Sequence, residues 1–218
     1  MLEKKWILLV CLSGLAAFII LAQDVAGGTS TAWEKPIIEA VRSWTNTFTT
    51  EIFKFITSLA SVIFTTIVTT LLTLLFWVQK KWKKGWIAAV AVGGSGAVNY
   101  GLKNLFSRER PAVNQLIEAD GFSFPSGHAM NALVMYGMIV IITVLIVKNA
   151  ALKIAVAAAA VVLILLIGLS RIYLGVHYPG DVMGGFIVAS MWLLITGSWY
   201  IKTDLEESLS KSRLRTKH

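Results

Sequence analysis

An arginine, a histidine and an aspartate lie close together in one short stretch, Ser170 to Asp181. Long apolar runs flank this stretch on both sides, Ile154 to Leu169 and Val182 to Ile201. Pro179 suits the first turn of a helix, because its fixed φ is helical and its missing N–H is not needed there. Asp181 then lies in the first turn, within reach of His177. A carboxylate that holds one imidazole nitrogen orients the other and makes it more basic, as a nucleophile or base requires. A plain surface pair is the alternative.

The composition indicates a membrane protein. The 218 residues are 56% hydrophobic, and their mean hydropathy is +0.71. Runs of about 20 apolar residues are typical of α-helical membrane spans, and soluble domains carry more charge. The net charge of +8 does not indicate nucleic acid, because the basic residues mostly flank apolar runs. Cys11 is the only cysteine, so no intramolecular disulfide forms, and it lies inside an apolar run.

The pattern predicts an all-α, polytopic protein with six transmembrane helices and a short interfacial amphipathic helix. The six predicted spans are Trp6 to Ala22, Ile52 to Val78, Trp86 to about Leu105, Ala129 to Val147, Ile154 to Leu169 and Val182 to Ile201. Glycines and a serine in the third span allow close helix packing. No internal repeat occurs, so residues 1–218 form one domain, in which residues 203–218 are expected to be a mobile cytoplasmic tail.

Two segments allow alternative interpretations. The first apolar run follows Lys4 and Lys5, and it is either a retained anchor, which we favour, or a cleaved signal peptide. Residues 24–50 are polar, with apolar side chains at helical spacing: Trp33, Ile37, Ile38, Val41 and Trp44. Between them fall the charged residues Glu34, Lys35, Glu39 and Arg42. This helix lies either in the membrane interface or against the spans.

The distribution of basic residues predicts the orientation. With both termini inside, 13 of the 20 Lys and Arg residues fall on the inner side, including the group from Lys80 to Lys84. The positive-inside rule therefore places both termini in the cytoplasm. Several of the seven outer basic residues have another use, described next.

With this topology, three polar clusters fall on the outer membrane face. Lys103, Arg110 and Arg171 bring three positive charges together, which is unfavourable unless an anion neutralises them. Ser126 and Gly127 lie at the start of the fourth span, where free N–H groups and the helix dipole favour an anion. Arginine binds phosphate with two hydrogen bonds, so phosphate is the expected anion.

Two histidines can divide the work of phosphate ester hydrolysis. His177, beside Asp181, suits attack on phosphorus, and His128 suits protonation of the departing oxygen. Each residue alone has a simpler explanation: Lys103 as an interfacial lysine, Arg110 as a headgroup contact and Ser126 as a helix cap. Their convergence on one face favours the catalytic interpretation.

These residues resemble a known family. Lys103-x6-Arg110-Pro111, Pro125-Ser126-Gly127-His128 and Ser170-Arg171-x5-His177-x3-Asp181 are similar to the three-part signature of the type 2 phosphatidic acid phosphatases, without a departure. That superfamily includes bacterial membrane phosphatidylglycerophosphatase B, undecaprenyl pyrophosphate phosphatases and vanadium haloperoxidases. The resemblance implies a phosphohistidine at His177, orientation of that histidine by Asp181, and leaving-group protonation by His128. It also implies phosphate binding by Lys103, Arg110, Ser126, Gly127 and Arg171, without a metal or other cofactor.

The resulting expectation is a metal-independent lipid phosphatase whose site lies at the extracytoplasmic interface. Phosphatidylglycerophosphate, phosphatidic acid and undecaprenyl pyrophosphate all fit as substrates, and the undecaprenyl branch is the main alternative. A phospholipid binder or transporter without turnover is a remote alternative. The resembling haloperoxidases are larger and soluble, which argues against that activity. Membrane lipids are the expected partners, nucleic acid is not, and the sequence leaves the oligomeric state open.

Overall fold

The computed structural model describes the backbone of residues 2–112 and 115–215, and the side chains of residues 5–112, 115–210 and 212. Eight helices and no strand occur in these ranges, which confirms the all-α prediction for them. In chain order the helices are α1 (Leu2–Ala26), α2 (Thr31–Arg42), α3 (Thr47–Ser58), α4 (Val62–Val78), α5 (Trp82–Phe106), α6 (Gly127–Ile146), α7 (Ala150–Tyr173) and α8 (Pro179–Arg215).

Several of these helices are suited to crossing a membrane. Four are long and apolar enough by themselves: Lys5–Ala26 of α1, all of α6, all of α7, and Pro179–Ser210 of α8. α3 and α4 qualify together as one broken span, which brings the number to five. α5 does not qualify, because lysines, asparagines and glycines lower its hydropathy. A multi-pass helical membrane protein is therefore confirmed, whereas the count of six spans is not.

The segment predicted as one span from Ile52 to Val78 is divided in two. α3 and α4 meet at a bend of 40° across residues 59–61. Ser61 caps α4, its hydroxyl accepting a hydrogen bond from the Phe64 N–H at 3.2 Å. The carbonyl of Leu59 accepts the Tyr136 hydroxyl of α6 at 3.0 Å. The run is mostly apolar and has no proline or glycine at the break, which instead coincides with these polar contacts.

α2 packs against α7 and α8, as the second interpretation of residues 24–50 expects. Val41 faces the protein and is 8% exposed. Glu34, one of the charged residues that fall between the apolar positions, is buried rather than solvent-exposed: its side chain is 1% exposed. The reason is an ion pair with Arg108, described below. Trp44 lies two residues beyond the end of α2.

The main core is formed by α1, α5, α6 and α8, with Phe18, Met130 and Val188 among its buried side chains. α5 and α8 approach closely at Gly94, where a Cβ atom would lie 2.4 Å from the Trp192 ring. The indole N–H of Trp192 donates to the carbonyl of Ala91 at 2.7 Å. A small residue therefore allows the α5–α8 contact, as predicted for the third span.

α8 continues as a helix to Arg215, well beyond Ile201, where the sixth span was predicted to end. The part of α8 beyond Ile201 contacts α5 through Lys84, which forms ion pairs with Asp204 and Glu207. The mobile tail predicted for residues 203–218 is thus helical as far as Arg215, and its last three residues lie outside the described range. Whether this end is mobile stays a prediction.

Candidate active site

The junction between α7 and α8 carries the histidine and aspartate pair. Pro179 is the first residue of α8 and Asp181 lies in its first turn, which confirms the predicted start of this helix. His177 Nδ1 lies 3.3 Å from Asp181 Oδ2. On the other side of the ring, Nε2 lies 3.2 Å from Arg110 Nη1. A guanidinium only donates, so Nε2 accepts and the ring proton lies on Nδ1, toward Asp181.

Asp181 is fully buried, and both of its carboxylate oxygens are hydrogen-bonded. Arg108 Nη1 donates to Oδ1 at 2.7 Å, and the Tyr178 N–H donates to Oδ2 at 2.8 Å. The Ser123 hydroxyl also donates to Oδ2. These contacts restrict the carboxylate to one orientation, in which it can accept the Nδ1 proton of His177.

The environment of His177 keeps its imidazole neutral. Burial lowers the pKa of His177 to about 4, and the charges of Arg171 and Arg110 act in the same direction, although Asp181 opposes them. A neutral ring with its proton on Nδ1 leaves a lone pair on Nε2 at neutral pH. That lone pair is what a nucleophile requires.

A cavity of about 330 Å³ lies beside His177. It is formed where α5 and α7 end and α6 and α8 begin. Among its lining residues are Lys103, Arg110, Gly127, His128, Arg171 and His177. The structure therefore brings together six of the eight residues predicted for the site. Asp181 lies behind His177 and reaches the cavity only through that ring.

Ser126 is the other predicted site residue that does not line the cavity. It is the N-cap of α6, fully buried, and its hydroxyl accepts a hydrogen bond from the Ala129 N–H at 3.4 Å. Its own N–H donates to the carbonyl of Asp181 at 2.9 Å. The side chain is therefore a helix cap, and its contact with phosphate stays a prediction.

The three cations of the cavity have neutral neighbours. Lys103 Nζ donates to the carbonyl of Phe122 at 2.5 Å. Arg110 donates to three backbone carbonyls, those of Asp120, Gly121 and Val176. Arg171 is 3% exposed, and its Nη1 donates to the Thr57 hydroxyl at 2.7 Å. Its buried Nε has no hydrogen-bond partner within the described part of the chain. Among the described residues, no carboxylate lies within ion-pair distance of any of these three cations. An anion is the group that such a cluster can stabilise.

The N-terminus of α6 borders the cavity, where Gly127 and His128 line it. A Cβ atom at position 127 would lie 2.9 Å from Asn99 Oδ1, so a larger residue here would displace the Asn99 side chain. The His128 ring is half-buried and makes no hydrogen bond to another described residue. Its nitrogens therefore remain available to a molecule in the cavity.

Sequence reasoning missed several residues of this site. Asn99 and Asn131 line the cavity one helical turn from Lys103 and His128 respectively. Both are polar residues inside long helices, and this signal was available in the sequence. Ser123, Arg108 and Glu34 support Asp181, and no local pattern marks them. Within the described part of the chain, no three His, Cys, Asp or Glu side chains are placed to bind a metal ion.

Residues 84–204 match the PAP2 superfamily. The chain is 34% identical over 143 residues to phosphatidylglycerophosphatase B of Bacillus subtilis, a match that covers 64% of this chain and 66% of that protein. The fold is similar to the crystal structure of a transmembrane PAP2-type phosphatidylglycerolphosphate phosphatase from Bacillus subtilis, with a TM-score of 0.82 and 29% identity over 88% of this chain and 96% of the other. Aquifex aeolicus LpxE is also similar, with a TM-score of 0.58 and 26% identity over 78% and 95% of the two chains.

Fold, cavity and similarities together define a membrane lipid phosphatase, a hydrolase of phosphate esters. The chain belongs to the PAP2 superfamily.

Proposed function

We propose that this chain hydrolyses phosphatidylglycerophosphate through a phosphohistidine on His177. The observation that carries the proposal is the position of the ring. Asp181 holds Nδ1, and Nε2 lies at the edge of a cavity lined by three cations that have no carboxylate partner among the described residues. A phosphate bound by those cations would lie next to the nucleophilic nitrogen.

The proposed reaction has two steps. Lys103, Arg110, Arg171 and the N-terminus of α6 at Gly127 bind the phosphate, and Ser126 fixes that helix end. His177 Nε2 attacks phosphorus and forms an N–P bond while the P–O bond to the lipid breaks, and His128 gives its proton to the departing oxygen. Water then attacks phosphorus, His128 takes a proton from that water, and inorganic phosphate leaves as the N–P bond breaks.

The polar lining of the cavity supports a glycerol headgroup. Asn131 is 9% exposed and makes no hydrogen bond to another described residue, so its amide is available to a bound molecule. It lies one turn beyond His128, beside the position that the departing alcohol would occupy. Phosphatidylglycerophosphate carries a free hydroxyl next to that oxygen, whereas phosphatidic acid and undecaprenyl pyrophosphate do not. The similarity to phosphatidylglycerophosphatase B supports the same substrate.

Phosphate release by purified protein from these three lipids tests the proposal, with and without a chelator. We expect phosphatidylglycerophosphate to be hydrolysed fastest and the chelator to have no effect. Asn131→Leu should slow this substrate about five- to tenfold, the value of one hydrogen bond, and leave phosphatidic acid unchanged. Asn104→Leu is the matched control, because Asn104 is exposed and outside the cavity.

Other outcomes separate the alternatives. Fastest release from undecaprenyl pyrophosphate would assign the chain to recycling of the cell-wall carrier lipid. Release from none of the three lipids would favour a phospholipid binder or transporter. Loss of activity with the chelator and recovery with magnesium would refute the metal-independent reaction.

We also propose six spans with both termini in the cytoplasm and the cavity on the extracytoplasmic side. The distribution of Lys and Arg supports the orientation. α5 supports the sixth span, because Lys84 and Lys103 are about 28 Å apart along a helix with a rise of 1.5 Å per residue, close to the thickness of the hydrocarbon core. Both lysines would then lie at the membrane surfaces.

Cysteine labelling in intact cells checks this topology. In a chain with Cys11→Ala, an impermeant reagent should label Gln115→Cys, which is in the loop before α6, and should not label Lys83→Cys. Both positions should react after the cells are opened. The opposite pattern in intact cells would reverse the orientation.

A further inference from the structure

Arg108 is two residues before Arg110 but does not line the cavity. Its guanidinium binds Glu34 of α2 through the two terminal nitrogens, Nη1 to Oε1 at 3.1 Å and Nη2 to Oε2 at 2.6 Å. The same Nη1 donates to Asp181 Oδ1 at 2.7 Å. The Tyr178 ring stacks on the guanidinium, with 4.0 Å between Arg108 Cζ and the ring centre. Arg108 is therefore fixed between a carboxylate of α2 and the carboxylate that holds His177.

Glu34 makes a second contact to the helix that carries Asp181. Its Oε1 accepts the N–H of Gly180 at 2.9 Å, in the first turn of α8. A carboxylate at this position also interacts favourably with the N-terminus of α8. Glu34 is 1% exposed, so its charge would be costly to bury without these partners.

The charges of this network determine how strongly Asp181 acts on His177. Burial lowers the pKa of Arg108, but hydrogen bonding to Glu34 and the charges of Asp181 and Glu34 outweigh it, so that this pKa is raised and Arg108 stays charged. A cation bound to Asp181 by itself would weaken the attraction between Asp181 and the His177 ring. Glu34 supplies a second negative charge, which offsets part of that effect.

We propose that Glu34 and Arg108 are positioning residues for the nucleophile, and that this is the role of α2. Through Arg108, Glu34 holds Asp181 in the rotamer that orients His177 Nε2 toward the phosphate. The proposal rests on the proposed function of His177. It predicts that loss of Glu34 slows formation of the phosphoenzyme without changing how tightly the substrate binds, because neither residue lines the cavity.

Glu34→Gln tests the proposal, since the amide keeps the shape and removes the charge. On whichever lipid the wild type hydrolyses fastest, we expect kcat to fall about tenfold with KM unchanged. Trapped phosphohistidine should appear more slowly by the same factor. Glu39→Gln is the matched control, because Glu39 is on the same helix, is exposed and lies 4.0 Å from Lys35. It should behave like the wild type.

A double variant separates positioning from a general loss of structure. Arg108→Gln should lower kcat about 100-fold, and adding Glu34→Gln to it should cause no further loss, because both act through Asp181. Glu34→Asp keeps the charge and should recover part of the rate. If Glu34→Gln lowers the melting temperature in detergent, Glu34→Asp and the double variant still decide the question.

Three results would overturn the proposal. The first is that Glu34→Gln is as fast as Glu39→Gln. The second is that Glu34→Gln changes KM and leaves kcat unchanged. The third is that the loss of rate in the double variant equals the product of the two single losses. A wild type that hydrolyses none of the lipids would instead refute the proposed function.

Discussion

α5 carries a lysine near each end, and their surroundings differ. Lys84, in the first turn, forms ion pairs with Asp204 at 2.5 Å and Glu207 at 3.1 Å, both from α8. Among the described residues, the hydrogen-bond partner of Lys103, in the last turn, is the carbonyl of Phe122 alone. The charge at one end is compensated by the protein, and the charge at the other is not. An uncompensated cation near a membrane interior is maintained at a cost in stability, so it indicates a ligand rather than a structural role.

A similar difference separates the groups that line the cavity from those that support it. Among the described residues, Arg171 Nε, His128 and Asn131 have no hydrogen-bond partner. The supporting groups are the opposite: both Asp181 oxygens and both Glu34 oxygens are bonded. We infer that groups whose charge or hydrogen-bonding capacity is not matched within the protein contact the substrate, and that groups matched in both respects hold them in place.

His128→Ala should produce the largest effect that separates these two kinds of group. On an alkyl phosphate lipid we expect a loss of about 1,000-fold, because the departing oxygen no longer receives a proton. The loss should be much smaller on an aryl phosphate, whose oxygen leaves without that help. His177 and Asp181 are untouched, so phosphoenzyme should still be trapped from the aryl substrate, whereas His177→Ala should trap none.

An equal loss of activity on alkyl and aryl substrates would contradict the role of His128 as the acid. So would trapping of phosphate by His177→Ala, because no other nucleophile is proposed. Asp181→Asn serves as an intermediate control: the His177 ring remains but loses orientation and basicity, so a loss smaller than that of His177→Ala is expected.

The cavity could largely be predicted from the sequence, because its parts are local. Each motif is a short stretch at the end of a helix, and the alternating direction of successive spans brings those ends to one side. The start of α8 at Pro179 and the position of Asp181 follow from local backbone chemistry alone.

The supporting residues could not be predicted in this way, because their partners are distant in the chain. Glu34 and Arg108 are 74 positions apart, and an isolated glutamate in an amphipathic pattern is usually solvent-exposed. The break between α3 and α4 has a similar cause, since the Leu59 carbonyl is satisfied by Tyr136, 77 positions later. Ser126 is the opposite case. The motif identifies the residue, but only the structure shows that its hydroxyl caps α6.

Lys84 and Lys103 offer the most direct test of the contrast between the two ends of α5. Lys103→Met should lower activity about 100-fold, as loss of one charged donor to the phosphate typically does. Its stability should be unchanged or slightly higher, because an uncompensated charge is replaced by an apolar side chain of similar length. Lys84→Met should instead keep its activity and lose about 1–2 kcal/mol of stability, because Asp204 and Glu207 lose their partner.

Inorganic phosphate sharpens this test, since binding to the folded state raises the melting temperature. Phosphate should stabilise the wild type and Lys84→Met in detergent by equal amounts, and should stabilise Lys103→Met much less. Equal protection of all three proteins would mean that Lys103 does not contact the anion. A loss of activity in Lys84→Met without a loss of stability would mean that the compensated lysine also serves the reaction, and the distinction between the two ends would then be wrong.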